Sequence, residues 1–104
     1  MSITRGTTPT LFLRVTGVNP AACKTLCVTL KQGAVSLDKT GAALVFAENM
    51  LQIHLTQAET LLFGAYDAEI QLRGITNEDE AFASSIVTVP FARILKEGVL
   101  HDNA

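Results

Sequence analysis

Tryptophan is missing from the 104 residues, tyrosine occurs once, cysteine twice and proline three times. Each shortage excludes something. One tyrosine and five phenylalanines leave few aromatic rings for the stacking platforms that sugar-binding modules present. The two cysteines, Cys23 and Cys27, have C-x3-C spacing, which matches neither a C-x-x-C redox motif nor a zinc knuckle. If both lie on extended chain, their Cα atoms are about 13 Å apart, beyond the roughly 7 Å a disulfide tolerates, so two free thiols are expected. Charged residues make up only 17% of the chain, with a net charge of -2. Arg5, Arg14, Lys24, Lys31, Lys39, Arg73, Arg93 and Lys96 are scattered, so the basic footprint of a nucleic-acid binder is absent. There is no run of about 18 apolar residues and no apolar h-region in "MSITRGTTPT", so neither a membrane span nor a signal peptide is expected.

What the chain has is apolar content, 48% of it, at a length suited to one domain. A core of that size needs no metal or disulfide to fold: a stability of about 5–10 kcal/mol is ordinary for such a chain. No cofactor is expected. The apolar positions alternate, with the period of strands rather than helices. "TLFLRV" sets Leu11, Leu13 and Val15 against Phe12 and Arg14. "LCVTLKQ" sets Leu26, Val28 and Leu30 against Cys27, Thr29 and Lys31. Between them, Gly17, Asn19 and Pro20 predict a turn. "AVSLDKTGAALVF" predicts two short strands around Lys39-Thr40-Gly41, with Gly41 at the positive φ of a tight hairpin. "MLQIHLT" points Leu51, Ile53 and Leu55 inward. "YDAEIQLRGI" points Tyr66, Ala68, Ile70 and Leu72 one way and Asp67, Glu69, Gln71 and Arg73 the other. "FASSIVTVPFA" is a last β-type run that Pro90 ends, bends or confines to an edge.

Between the fifth and sixth of these strands stands "LTQAETLLF". Thr56-Gln57-Ala58-Glu59 has the spacing of a capping box, in which Thr56 accepts from the Glu59 amide and Glu59 reaches back. A helix starts there and is short, with Gly64 as its expected terminator. One helical turn between two strands, followed by a tyrosine, is the arrangement at the E-to-F crossing of immunoglobulin-like sandwiches. Tyr66 is then expected as a tyrosine-corner analogue, its ring packed and its hydroxyl bonded to backbone. Without tryptophan or well-spaced cysteines the antibody-type core is excluded. The expectation is an all-β, Ig-like antiparallel β-sandwich of about seven strands. It is a single domain over 1–104, with 91–104 as a C-terminal tail or short helix. A small closed barrel is the alternative.

"ITRGTTPTLFLRV", "VTLKQG", "DKTG", "LTQAETLLF", "AEIQLR" and "ILKEGVL" together resemble small prophage-encoded proteins from structural-gene clusters of gut Firmicutes. More distantly they resemble the Ig-like N-terminal domain of tailed-phage upper-baseplate proteins. Such members carry a polar or charged loop where this chain has "NPAACKTL". The resemblance implies a virion structural or assembly component, found in the bacterial cytoplasm during assembly and then in the virion, with no catalytic residues to transfer.

Candidate chemistry is thin. Ser84, Ser85, His54, Asp67 and Glu69 are the residues an enzyme would draw on, but no G-x-S-x-G elbow accompanies the serines. Cys23, Cys27, His54 and His101 do not form a metal-ligand pattern, and "NEDE" lacks the ligand spacing of an EF-hand loop. The function expected is therefore non-enzymatic, acting through contacts with other virion proteins or by self-association, without nucleic acid or membrane. A carbohydrate- or ligand-binding sandwich module is the alternative. Phe12 falls on the nominally polar face of its strand, which supports an interaction role, and the run Phe91, Ile94, Leu95, Val99 and Leu100 holds the expected contact residues. That run either folds back on its own domain or packs on a neighbour.

Overall fold

The computed structural model describes residues 2–14, 19, 22–47 and 50–101. The inward position expected of Val15 and the turn expected at Gly17 and Pro20 lie outside them. The described residues are mostly β-strand with one short α-helix, in two sheets. The strands are β1 (Ile3–Thr4), β2 (Thr10–Arg14), β3 (Cys23–Gln32), β4 (Val35–Thr40), β5 (Leu44–Ala47), β6 (Met50–His54), β7 (Asp67–Thr76), β8 (Ala81–Ala83) and β9 (Val87–Ala92), with α1 (Gln57–Leu61) between β6 and β7. All seven expected strands are present, the last divided into β8 and β9, and β1 is added at the start.

The larger sheet has the order β1-β9-β7-β3-β4 with β8 also on β7, and it curls into half a barrel. Its pairs are antiparallel except β1 with β9, which is parallel. The smaller sheet, β2-β6-β5, is antiparallel. Among the described residues no ladder joins the two sheets, so these strands do not close a barrel.

Alternation decides which side chains face in. Leu11, Leu51 and Ile53 of the small sheet meet Val28, Leu30, Ala68, Ile70, Leu72, Val89 and Phe91 of the large one in a single apolar cluster, joined by Ile3, Leu55 and Phe63. Phe63 stacks on Phe91, ring centroids 4.8 Å apart. The cysteines are free thiols, both on β3.

Two expectations about turns need correction. Gly41 does take φ +58°, but it opens a 3-10 turn (Gly41–Ala43) that carries the chain from one sheet to the other, so β4 and β5 are not a hairpin. The tight hairpin lies earlier, at Gly33-Ala34, where Gln32 pairs with Val35 and Gly33 has φ +57°. Two residues with a left-handed first position match the twist of the flanking strands. Gly64 does not terminate α1, which ends at Leu61. Its own need is for space, because a Cβ there would lie 2.6 Å from the Tyr66 ring.

Pro90 neither ends nor bends its strand. The Phe91 amide donates to the Tyr66 carbonyl, so by alternation the Pro90 nitrogen faces the other edge, and β1 joins that edge only from Phe91 onward. What interrupts the last run is a bulge. Arg73 pairs with Ala83 but Ile70 with Val87, so three residues, Ser84-Ser85-Ile86, stand opposite Gln71-Leu72. Ser84 repairs the ladder locally: its hydroxyl accepts from the Leu72 amide at 3.0 Å and its own amide donates to the Leu72 carbonyl at 2.8 Å.

Candidate interaction surfaces

The crossing from β6 to β7 is built as the capping-box spacing predicts. The Glu59 amide donates to Thr56 Oγ1 at 3.2 Å, and the Thr56 amide donates to Glu59 Oε1 at 2.8 Å. Glu59 has a second partner that the local sequence does not reveal, Lys39 of β4, at 2.5 Å. Burial alone would raise the Glu59 carboxyl, but hydrogen bonds from Lys39 and the Thr56 backbone, with the lysine's charge, outweigh it and hold the group below its ordinary value.

Tyr66 is not a corner tyrosine. Its side chain is exposed, because Gly64 and Gly33 leave its ring room outside the core. The side chain that ties this crossing to the sheet is Gln32, at the end of β3 and only 3% exposed. Its Nε2 donates to the carbonyls of Gly64 (3.1 Å) and Tyr66 (2.8 Å), and its Oε1 accepts from the Gly64 amide at 2.5 Å. Thr60, fully buried on α1, holds the N-terminal turn in the same way. Its Oγ1 accepts from the Gly6 amide and donates to the Thr7 carbonyl, both at 2.9 Å.

The C-terminal run lies against its own domain without forming a helix among residues 93–101. Arg5 explains part of this. Its guanidinium donates to the carbonyls of Leu61, the last residue of α1, and Phe63, just past it, and pairs with Glu97 in the tail. Gln57 adds a two-way contact with Leu100: its Nε2 donates to the Leu100 carbonyl at 3.1 Å, and its Oε1 accepts from the Leu100 amide at 2.8 Å. Ile94 sits over Gly6, whose positive φ and missing Cβ leave space for it.

The contact run therefore divides. Phe91 belongs to β9 and the core, so it is withdrawn as a surface residue, since its inward register and its stack on Phe63 bury it. Ile94 is half-buried, while Leu95 (94%), Val99 and Leu100 are exposed.

A second apolar surface lies on the outward face of the small sheet. Phe12 and Val45 both pair with Gln52, so the three stand in one row across β2, β6 and β5. Phe12 is 47% and Val45 52% exposed. In the neighbouring row Arg14 and Ala47 flank Met50.

A cleft of about 260 Å³ opens between β2 and the β8–β9 bulge. Leu13 and Arg14 line it on one side, and Ile70, Leu72, Phe82, Ser84 and Val87 on the other.

The residues weighed for catalysis are not brought together. His54 is exposed on β6, its Nδ1 3.2 Å from Thr10 Oγ1. Asp67 and Glu69 are exposed on β7 in the other sheet. Ser84 and Ser85 form the bulge, where the Ser84 hydroxyl is occupied by backbone. Among the described residues no group of three His, Cys, Asp or Glu side chains could hold a metal ion. In "NEDE", Asp79 pairs with Lys24. No helix among the described residues is long and apolar enough to cross a membrane.

No protein-family model matches the chain, and no curated protein matches it. Among solved structures it is similar to a candidate glycoside hydrolase from Bacteroides vulgatus, at 16% identity and a TM-score of 0.48. The similarity covers 88% of this chain and 16% of that one.

Proposed function

We propose that this chain is an Ig-like β-sandwich module that works by protein–protein association, in the setting its sequence resemblance implies, a phage or prophage particle or its assembly. Strand order supports the Ig-like reading. β2, β6 and β5 take the places of strands B, E and D, while β3, β4, β7 and the β8–β9 pair take those of C, C′, F and G. The helical turn falls at the E-to-F crossing, as in that fold.

The observation that carries the functional reading is the row Phe12–Gln52–Val45. Its two apolar side chains are half in solvent on the outward face of a sheet whose inward face is already packed. Burying a phenylalanine and a valine contributes about 1.5–3 kcal/mol each, and association entropy removes much of that. Contacts through this face are accordingly weak one at a time and effective when repeated in an assembly.

Two measurements test the reading. Sedimentation velocity across a wide concentration range should show reversible association that the double variant Phe12→Ser, Val45→Ser abolishes. Gradient-purified particles from an induced lysogen should contain the protein by mass spectrometry. A wild type that stays monomeric throughout and is absent from both particles and assembly intermediates overturns the proposal.

A second reading, ligand or carbohydrate binding, has one observation in its favour, the exposed ring of Tyr66 beside Gly33 and Gly64. A glycan array with wild type and Tyr66→Ala separates the two.

A further inference from the structure

We propose that the open edge of β2, with the cleft beside it, is a strand-addition site for an extended segment of a partner polypeptide. The segment is apolar at alternate positions and carries a carboxylate opposite Arg14. The proposal rests on reading the domain as an assembly module, and it names the kind of partner.

Backbone geometry comes first. The Leu55 amide donates to the Pro9 carbonyl, and the register pairs Leu11 with Ile53 and Leu13 with Leu51. In an antiparallel ladder, bonded and non-bonded pairs alternate, so Pro9, Leu11 and Leu13 turn their backbone groups toward β6. Thr10, Phe12 and Arg14 then turn theirs to the opposite edge, where no strand pairs among the described residues. Three N–H groups and three carbonyls are thus in place to receive another strand.

The cleft supplies the side-chain half of the site. Val87 faces inward by register, opposite Ile70, yet is 49% exposed, because among the described residues no side chain covers the core between β2 and the bulge. Leu13, Leu72 and Phe82 line the same opening. A strand laid along β2 would send every second side chain into it.

Charge selects further. Arg14 lines the cleft at the end of β2 and makes no hydrogen bond or ion pair among the described residues. A carboxylate on the added strand would give that guanidinium a partner.

Size and packing choose the occupant. β2 is five residues long, about 17 Å of edge. A segment of that length buries less than the roughly 1,200 Å² of a standard interface, which suits a linear segment rather than two docked globular faces. A second copy pairing β2 to β2 would not fill the cleft, since its own Leu11 and Leu13 point into its own core.

The probe is the capped, fluorescent peptide Ser-Asp-Val-Thr-Val-Thr-Ser. Antiparallel to β2, it sets Asp opposite Arg14, the valines inward and the threonines outward. Saturable binding by fluorescence anisotropy is expected. N-methylation of its first threonine, whose N–H would face β2, should weaken binding at least tenfold, whereas N-methylation of the first valine, whose N–H faces away, should change it less than threefold. Arg14→Glu should weaken the Asp peptide and favour its Lys counterpart, reversing the wild-type order.

Absence of saturable binding, equal loss from both N-methylations, or an unchanged Asp-to-Lys preference in Arg14→Glu overturns the proposal. Phe12 and Val45 are untouched in these experiments. Loss of self-association through their face therefore reads out separately from failure of strand addition.

Discussion

Replacing Gln32 with methionine tests how the crossing between the sheets is held. The amide of Gln32 is buried and makes three hydrogen bonds, to the Gly64 amide, the Gly64 carbonyl and the Tyr66 carbonyl. Methionine fills nearly the same volume without those groups, so the cavity contribution is small and the polar loss dominates. The Tyr66 carbonyl keeps the Phe91 amide at 3.3 Å. Both polar groups of Gly64 lose Gln32. A buried donor or acceptor left unsatisfied costs about 1–3 kcal/mol, and Gly64 is half-buried, which allows water some access. The sum is about 2–4 kcal/mol, a large part of the stability of a domain this size. Equilibrium urea unfolding, followed by far-ultraviolet circular dichroism, should show the midpoint falling by about 1–3 M with an unchanged slope. Amide exchange at Gly64 should accelerate along with it. A loss below about half a kcal/mol, or an unchanged Gly64 exchange rate, would show that the crossing is held by the Phe63–Phe91 stack and backbone pairing, and would refute the role given to Gln32.

Thr56→Ala removes one arm of the capping box and should cost about 1 kcal/mol in the same assay, with peptide binding at β2 unchanged. Glu59 adds a pH dependence with a definite sign. Its folded-state value lies below the ordinary 4.5, so its contribution is present above that value and is lost as pH falls through the lower, folded-state one. Lys39→Met should therefore flatten the acid limb of the stability–pH curve; an unaltered limb would mean that the ion pair does not form in solution. Gly74→Ala should destabilise by about 1–3 kcal/mol, because the added Cβ would lie 2.8 Å from the Thr25 carbonyl on the paired strand, which cannot move aside as a flexible side chain could. Wild-type stability in that variant would show that β3 and β7 separate easily near Cys23 and Thr25, where their register shifts.

How far the sequence reaches depends on whether a feature is local. Period-two alternation is a property of neighbouring residues, and it alone determined that Leu11, Val28, Leu30, Leu51, Ile53, Leu55, Ile70 and Leu72 face inward. The capping box was equally legible, since Thr56 and Glu59 are three residues apart and satisfy each other. Strand partners were not legible in the same way. Gly41 supports a left-handed turn whether the chain folds back as a hairpin or passes to the other sheet, and only the pairing of β4 with β3 and of β5 with β6 chose between them. Phe91 looked like spare apolar surface because its partner, Phe63, is 28 residues away in sequence and meets it only after the sheets assemble. Gln32, and not Tyr66, ties the crossing to the sheet for a related reason. A buried amide satisfied by three backbone groups of a distant loop has no local signature, because Gly64 and Tyr66 stand 32 and 34 residues away from Gln32 in sequence. The open edge of β2 is tertiary as well: whether a strand has one neighbour or two depends on which strands the rest of the chain brings beside it.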